Sequence, residues 1–153
     1  MQHITAGPLR LHLGCGASPK AGWINLDSRP LPGVDIVRDV LRGLPFSDEA
    51  IDEVYSENFL EHLPQAETIW VMNEIWRVLK PRGIAIHLIP QAGTVFDLAD
   101  PTHQSRWHTE TFTYFELGHG RNAYYGTIKP WIIEIRLTKP NELLHVTMEK
   151  PGA

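Results

Sequence analysis

Leu9 to Leu13 alternates Leu, Arg, Leu, His, Leu, and that period of two predicts a strand ending where Gly14-Cys15-Gly16 begins. Two short β-prone runs follow, Trp23 to Leu26 and Val34 to Val37, each reaching an aspartate soon afterwards, Asp27 and Asp39. Pro30, Pro32 and Gly33 punctuate the stretch between them. Ile51 to Ser56 alternates again and predicts a fourth strand, entered through the turn-like Leu44-Pro45-Phe46-Ser47-Asp48. The period then changes. From Gln65 to Lys80, Ile69, Met72, Ile75, Trp76 and Leu79 recur at helical spacing, and Pro81-Arg82-Gly83 stops the pattern. Gly83 to Ile89 is almost continuously apolar, as in a strand covered on both faces. Trp131 to Leu137 and Leu143 to Met148 flank Pro140-Asn141 and predict a closing antiparallel hairpin. The stretch from Gln91 to Thr127 is irregular and rich in His, Trp and Tyr.

Strands broken by a helix and closed by a hairpin predict a mostly parallel α/β sheet. Ligands of such sheets bind beyond the carboxyl ends of the strands, where Gly14, Asp27, Asp39 and Ser56 fall. The first two crossovers have only Ala17 to Gly22 and Ser28 to Gly33 to work with. Parallel crossovers usually take about a dozen residues and contain a helix, so the helices after strands one and two are reduced or absent. Six or seven extended residues reach about 20 Å, enough to return along a short strand. One sheet face therefore loses its helices. An exposed apolar face is unfavourable, so the segment from Gln91 to Thr127, a second subunit in a homodimer, or both are expected to cover it.

A length of 153 residues suits one domain, taken as residues 1–153. The single cysteine cannot form an internal disulfide, which fits a reducing, cytoplasmic compartment. No apolar run approaches the roughly 20 residues that cross a bilayer, so no membrane partner is expected. Met1 to Pro8 lacks the basic-then-apolar pattern of a secretory signal. The net charge of -4 comes without a Lys/Arg cluster and argues against nucleic acid.

Leu11-His12-Leu13-Gly14-Cys15-Gly16, then Asp27, then Asp39 before Leu44-Pro45-Phe46, then Leu60-Glu61-His62-Leu63 resemble the class I S-adenosylmethionine-dependent methyltransferases. Glu74-Ile75-Trp76-Arg77-Val78-Leu79-Lys80-Pro81-Arg82-Gly83 is similar to the helix-turn-strand segment of that family. The resemblance spans residues 9 to 90 and rests on five elements in order. Asp100-Pro101-Thr102-His103 and Phe112-Thr113-Tyr114-Phe115 also resemble a substrate-side segment of some small members. The resemblance implies a minimal Rossmann-like domain with a seven-stranded sheet, and S-adenosyl-L-methionine as cofactor. It implies methyl transfer to an unidentified acceptor, a small metabolite or sugar being favoured. The cofactor would contact Leu13, Gly14, Cys15, Gly16, Asp27, Asp39, Val40, Ser56 and Glu57. Bare backbone at Gly14 and Gly16 would let the methionyl part approach, and Asp27 would accept from both ribose hydroxyls. Asp39 and the backbone of Val40 would meet the adenine.

Each residue also has a plainer reading: a glycine turn at 14–16, turn aspartates at 27 and 39, a helix-start acid at Glu57, a small buried residue at Cys15, and a structural Glu61-His62 pair. If the acceptor must lose a proton, His103 and His108 are the candidate bases, because their ordinary pKa lies near neutrality. A metal at Asp97, Asp100, His103 and His108 matches no familiar ligand spacing, so none is expected. The sequence departs from the family where His12 replaces a common acid and where Ala17-Ser18-Pro19 truncates the glycine signature. A nicotinamide dinucleotide fold would place its third glycine at Pro19 and has no room for its helix, which argues against it. A non-catalytic cofactor-binding or assembly module remains the alternative.

Overall fold

In the computed structural model, which describes residues 7–138 and 142–153, β1 (Arg10–Leu13), β2 (Ile24–Asp27), β3 (Ile36–Val37), β4 (Ile51–Glu57) and β5 (Leu79–Pro90) run parallel. β6 (Ile132–Thr138) and β7 (Leu143–Glu149) add an antiparallel pair, and the seven strands lie in the order β3-β2-β1-β4-β5-β7-β6. This is the expected sheet with its closing hairpin. The turn residues Pro140 and Asn141, and Met1 to Ala6, where a secretory pattern is not expected, lie outside the described residues.

α1 (Thr68–Val78) is shorter than its sequence pattern: a 3-10 turn over Gln65–Glu67 leads into it, and it stops before Leu79. Lys80 precedes Pro81, which disfavours helical backbone, and Leu79 opens β5 instead. α1 also carries the loop before β4. Glu74 accepts the Leu44 N–H at 2.7 Å, and Arg77 donates to the carbonyls of Phe46 at 2.9 Å and Leu44 at 3.2 Å.

No helix interrupts either of the first two crossovers. Asn25 does their fastening. Its amide oxygen accepts the Lys20 N–H at 2.8 Å, and its amide nitrogen donates to the carbonyls of Lys20 and Trp23, each at 3.1 Å. Its backbone N–H reaches the Asp35 carboxylate at 2.7 Å. The two loops also touch, since a Cβ on Gly33 would come within 2.5 Å of the Pro19 ring. Asn25→Ala leaves several partly buried backbone groups without partners and is expected to destabilise the chain by about 2 kcal/mol. Urea denaturation reads this directly, and a loss under about 0.5 kcal/mol would show that the loops hold without the clamp.

The strand register shows which face is bare. Leu11, Leu13, Val54, Ala85, Val146 and Met148 share one face and are buried in a single cluster with Val71, Met72, Ile75 and Val78 of α1. The opposite face carries Arg10, His12, Glu53, Tyr55, His145 and Thr147, interrupted by half-buried Ile84, Ile86 and Leu88. That alternation is the pattern of a sheet solvated on one side. The expected cover is therefore corrected. Residues 91–131, including α2 (Val95–Leu98), α3 (Thr109–Phe112) and α4 (Gly120–Tyr125), send Trp107, Phe112, Phe115 and Trp131 into the same cluster as α1. Large aromatics need the apolar face, and a polar face needs no second subunit to hide it. Near β1 it carries Trp23 and Lys20, whose ammonium lies 4.2 Å from the Tyr55 ring. Among the described residues no helix is long and apolar enough to cross a membrane.

Candidate active site

The carboxyl ends of β1, β2 and β4 open into a cavity of about 490 Å³. Gly14, ending β1, has φ +61 and an added Cβ would lie 2.3 Å from the Phe59 ring. Only glycine lets Phe59 close the cavity beside β1. Asp27 ends β2 and is buried, yet it lines the cavity. One carboxylate oxygen accepts the Gly16 N–H at 2.8 Å, the other the Arg29 N–H at 2.9 Å and its guanidinium at 3.3 Å. Burial alone would raise the Asp27 pKa; those N–H donors and the Arg29 charge outweigh it and hold the carboxyl below its ordinary value. Asp39 caps a 3-10 turn over Val40–Arg42 by accepting the Leu41 N–H at 2.9 Å, which sets Val40 in the wall.

The far wall comes from the turn after β4. Asn58, Phe59, His62, Leu63 and Pro64 line it, with Thr102 and Gln104 beside them. A second cavity of about 630 Å³ adjoins the first, sharing Asn58 and His62 and adding Glu61, Asp100 and His103 against Pro90, Val95, Phe96 and Leu143. The two polar segments are held together through backbone. The Glu61 carbonyl accepts N–H groups from Gln104 at 2.8 Å and Ser105 at 3.1 Å, and the Gln104 amide donates to the His62 carbonyl at 2.9 Å. Burial pushes the Glu61 carboxyl up to about 7.

The structure brings Gly14, Asp27, Asp39 and Val40 together around the first cavity. Gly16 stands behind Asp27, while Leu13 and Cys15 are buried in the sheet below, and burial raises the Cys15 thiol pKa. Two expected contacts are corrected. Ser56 points into the core, its hydroxyl 2.7 Å from His87 Nδ1. Glu57 alternates to the polar sheet face, where it accepts the Tyr55 hydroxyl at 2.9 Å. His103 lies at the second cavity with its side chain 6% exposed. His108 does not: its Nδ1 accepts the Glu110 N–H at 3.2 Å and caps α3. His12, in the position of the family's acid, faces Asn25 at 3.2 Å on the polar side of the sheet. Asn58, Phe59, Glu61, His62 and Thr102 were not anticipated as site residues. A carboxylate between Leu60 and Leu63, at the end of a strand whose neighbours bear the other motifs, was the available signal.

A family model described as a methyltransferase domain matches residues 12–87, the span that holds Gly14, Asp27, Asp39 and the turn after β4. The chain belongs to the class I methyltransferases. Solved methyltransferase structures share the fold. An S-adenosylmethionine-dependent methyltransferase from Archaeoglobus fulgidus is 15% identical, with a TM-score of 0.68 over 94% of this chain and 87% of that one. A chain in the complex between the Haloferax volcanii Trm112 methyltransferase activator and the putative methyltransferase is 15% identical, with a TM-score of 0.65 over 96% and 83%. The [4+2]-cyclase SpnF is also similar, at 15% identity and a TM-score of 0.64 over 98% and 77%. No curated protein matches the sequence. Class I methyltransferases use S-adenosylmethionine, and that is the cofactor of this one. The residues fit it: a cavity of about 490 Å³ is of small-molecule size, and it has an anchored, ionised carboxylate in one wall.

Proposed function

We propose that this methyltransferase transfers the methyl group of S-adenosylmethionine to a small polar acceptor, a metabolite or sugar, held in the second cavity. The supporting observation is that the two cavities share Asn58 and His62, so ligands in them would meet across one wall. Bound S-adenosylmethionine supplies an electrophilic methyl on a sulfonium. The chain's own task is to hold the acceptor in line and keep water away. Asp27, Asp39, Gly14 and Val40 grip the nucleoside. Val95, Phe96, Pro90 and Leu143 form the apolar side of the acceptor cavity, and Glu61, His62, Asp100 and His103 its polar end.

An acceptor hydroxyl must lose its proton as the new bond forms. His103 is the group we assign to it, because its Nδ1 is engaged with the Asp97 carbonyl at 2.9 Å and its Nε2 is left to the cavity. His108 has no part in this reading, being occupied as a helix cap. The single cysteine supports a cytoplasmic setting.

An acceptor screen scoring S-adenosylhomocysteine release tests the proposal. His103→Asn is expected to lower turnover about 100-fold while cofactor affinity stays unchanged. Turnover equal to wild type would remove His103 from the chemistry. Tight cofactor binding with no transfer to any acceptor would favour the non-catalytic module instead.

A further inference from the structure

We propose that Glu61, His62 and His103 bind a divalent transition-metal ion of the zinc class, with Asp100 as a fourth, oxygen donor. The ligand atoms of the first three all lie within 4.8 Å of one another. Glu61 Oε1 stands 4.0 Å from His62 Nε2 and 4.0 Å from His103 Nε2, and Asp100 Oδ2 stands 3.5 Å from His103 Nε2. The two imidazoles meet edge to face with centroids 5.0 Å apart.

The direction in which these groups present their electrons carries the inference. His103 Nδ1 lies 2.9 Å from the Asp97 carbonyl, which can only accept. That nitrogen therefore bears the proton, and Nε2 of the neutral ring keeps a lone pair. The Thr102 hydroxyl donates to Asp100 Oδ1 at 2.6 Å, so towards His62 Nδ1, 3.2 Å away, it can only accept. His62 is held in the same tautomer. Both Nε2 atoms thus turn lone pairs towards the Glu61 carboxylate, whose two oxygens are buried without a hydrogen-bond partner. Glu61 as a whole is 1% exposed. Buried polar atoms without partners are costly, and a cation held between the Glu61 carboxylate and the two imidazoles would satisfy it.

The distances and donors suit that ion. With Zn–N and Zn–O bonds of about 2.0–2.1 Å, tetrahedral ligand atoms sit about 3.4 Å apart, so shifts of about 0.6 Å in the 4.0 Å pairs, and of up to about 1.4 Å in the widest pair, close the set. The His62 side chain, 38% exposed, is free to make them. Metal-bound histidines usually give their other N–H to a carbonyl or other acceptor, which the Asp97 carbonyl and the Thr102 hydroxyl already provide. Two imidazoles and carboxylate oxygens select transition ions over calcium and magnesium, which prefer oxygen alone.

His62 belongs to the wall between the two cavities, so the ion would border the acceptor, whose oxygen would enter by displacing Asp100 or as a fifth ligand. With the ion bound, His103 Nε2 would be a ligand and no longer the base, so its part as proton acceptor belongs to the metal-free protein. This role rests on the methyl-transfer reading; the binding does not.

The test uses the tag-free, full-length chain stripped with chelator and titrated with zinc chloride alone, with cobalt(II) absorption as a second probe. One ion per chain is expected. Glu61→Gln, His62→Asn and His103→Asn should each weaken zinc binding about tenfold or more, and Thr102→Val, which keeps every ligand, about tenfold. Metal-free melting curves identify any variant that fails to fold, and the half-exposed His62→Asn keeps the test decisive if the buried variants do fail. No saturable uptake by folded wild type, or full uptake by a folded Glu61→Gln/His103→Asn double variant, would overturn the site. A parallel titration with S-adenosylmethionine separates the two readings: zinc binding without cofactor binding sinks methyl transfer and leaves the metal site standing, and the reverse sinks only the metal site.

Discussion

Asp27→Ala is expected to weaken S-adenosylmethionine binding about 100-fold, the equivalent of about 3 kcal/mol. The carboxylate is buried at the cavity wall, is held below its ordinary pKa, and is aimed by the Gly16 and Arg29 backbone N–H groups. A preorganised charged acceptor of this kind forms charge-assisted bonds with ribose hydroxyls without first losing entropy, and each such bond is worth about 1.5–3 kcal/mol. Asp27→Asn keeps the shape and one acceptor oxygen, so a loss of about tenfold is expected there. Calorimetric titration of both variants is the measurement. Affinity in Asp27→Ala matching wild type would mean that the cofactor is held elsewhere.

The second large effect is on stability in acid. His87 is fully buried on the α1 side of the sheet, its Nδ1 2.7 Å from the Ser56 hydroxyl and its Nε2 without a partner. Burial lowers its pKa from 6.5 to about 3. The unfolded chain therefore binds a proton that the folded chain refuses over this range. Stability contributed by the neutral ring is complete above pH 6.5 and falls as pH drops towards 3, by about 1.4 kcal/mol per pH unit and about 4–5 kcal/mol in all. For a domain of ordinary stability, about 5–15 kcal/mol, that is a large share. Ser56→Ala/His87→Leu removes the titrating group and its partner together. The difference in unfolding free energy between wild type and this variant, followed by urea denaturation from pH 7 to 4, should change with that slope. Other groups drop out of the difference, including Glu61, whose raised pKa acts in the opposite sense between pH 4.5 and 7. A difference independent of pH would show that His87 takes its proton while folded.

Much of the sheet was legible because parallel strands carry local marks. Each predicted strand lies within two residues of its observed start, apart from β5, which begins at Leu79 because the helix ends early. The missing crossover helices were legible by counting residues. The polarity of the bare face was also present in the alternation of Arg10 with Leu11 and Glu53 with Val54, but it emerges only once register aligns neighbouring strands. Reading strands singly left an apolar face to be covered. In the site, Gly14, Asp27 and Asp39 follow from their places after strands, so order alone located them. Ser56 and Glu57 did not, because alternation sends one into the core and the other to the polar face. Glu61, His62 and His103 were beyond local reading, since they meet only where residues 102–105 fold back on the turn after β4, about forty positions away. His108 shows the converse: a titratable type in a suggestive stretch whose hydrogen bonds are entirely local.

The helix-free crossovers have a consequence for how ligand binding is felt across the molecule. Backbone amides of β2 and β3 are sheltered by short loops and one asparagine side chain, whereas those of β5 and β7 lie under α1 and the aromatic layer. The edge that holds Asp27 is thus the part poised to open first, through excursions far smaller than global unfolding. Occupancy of the neighbouring cavity closes those excursions, so deuterium uptake at this edge slows while the interior under α1 exchanges as before.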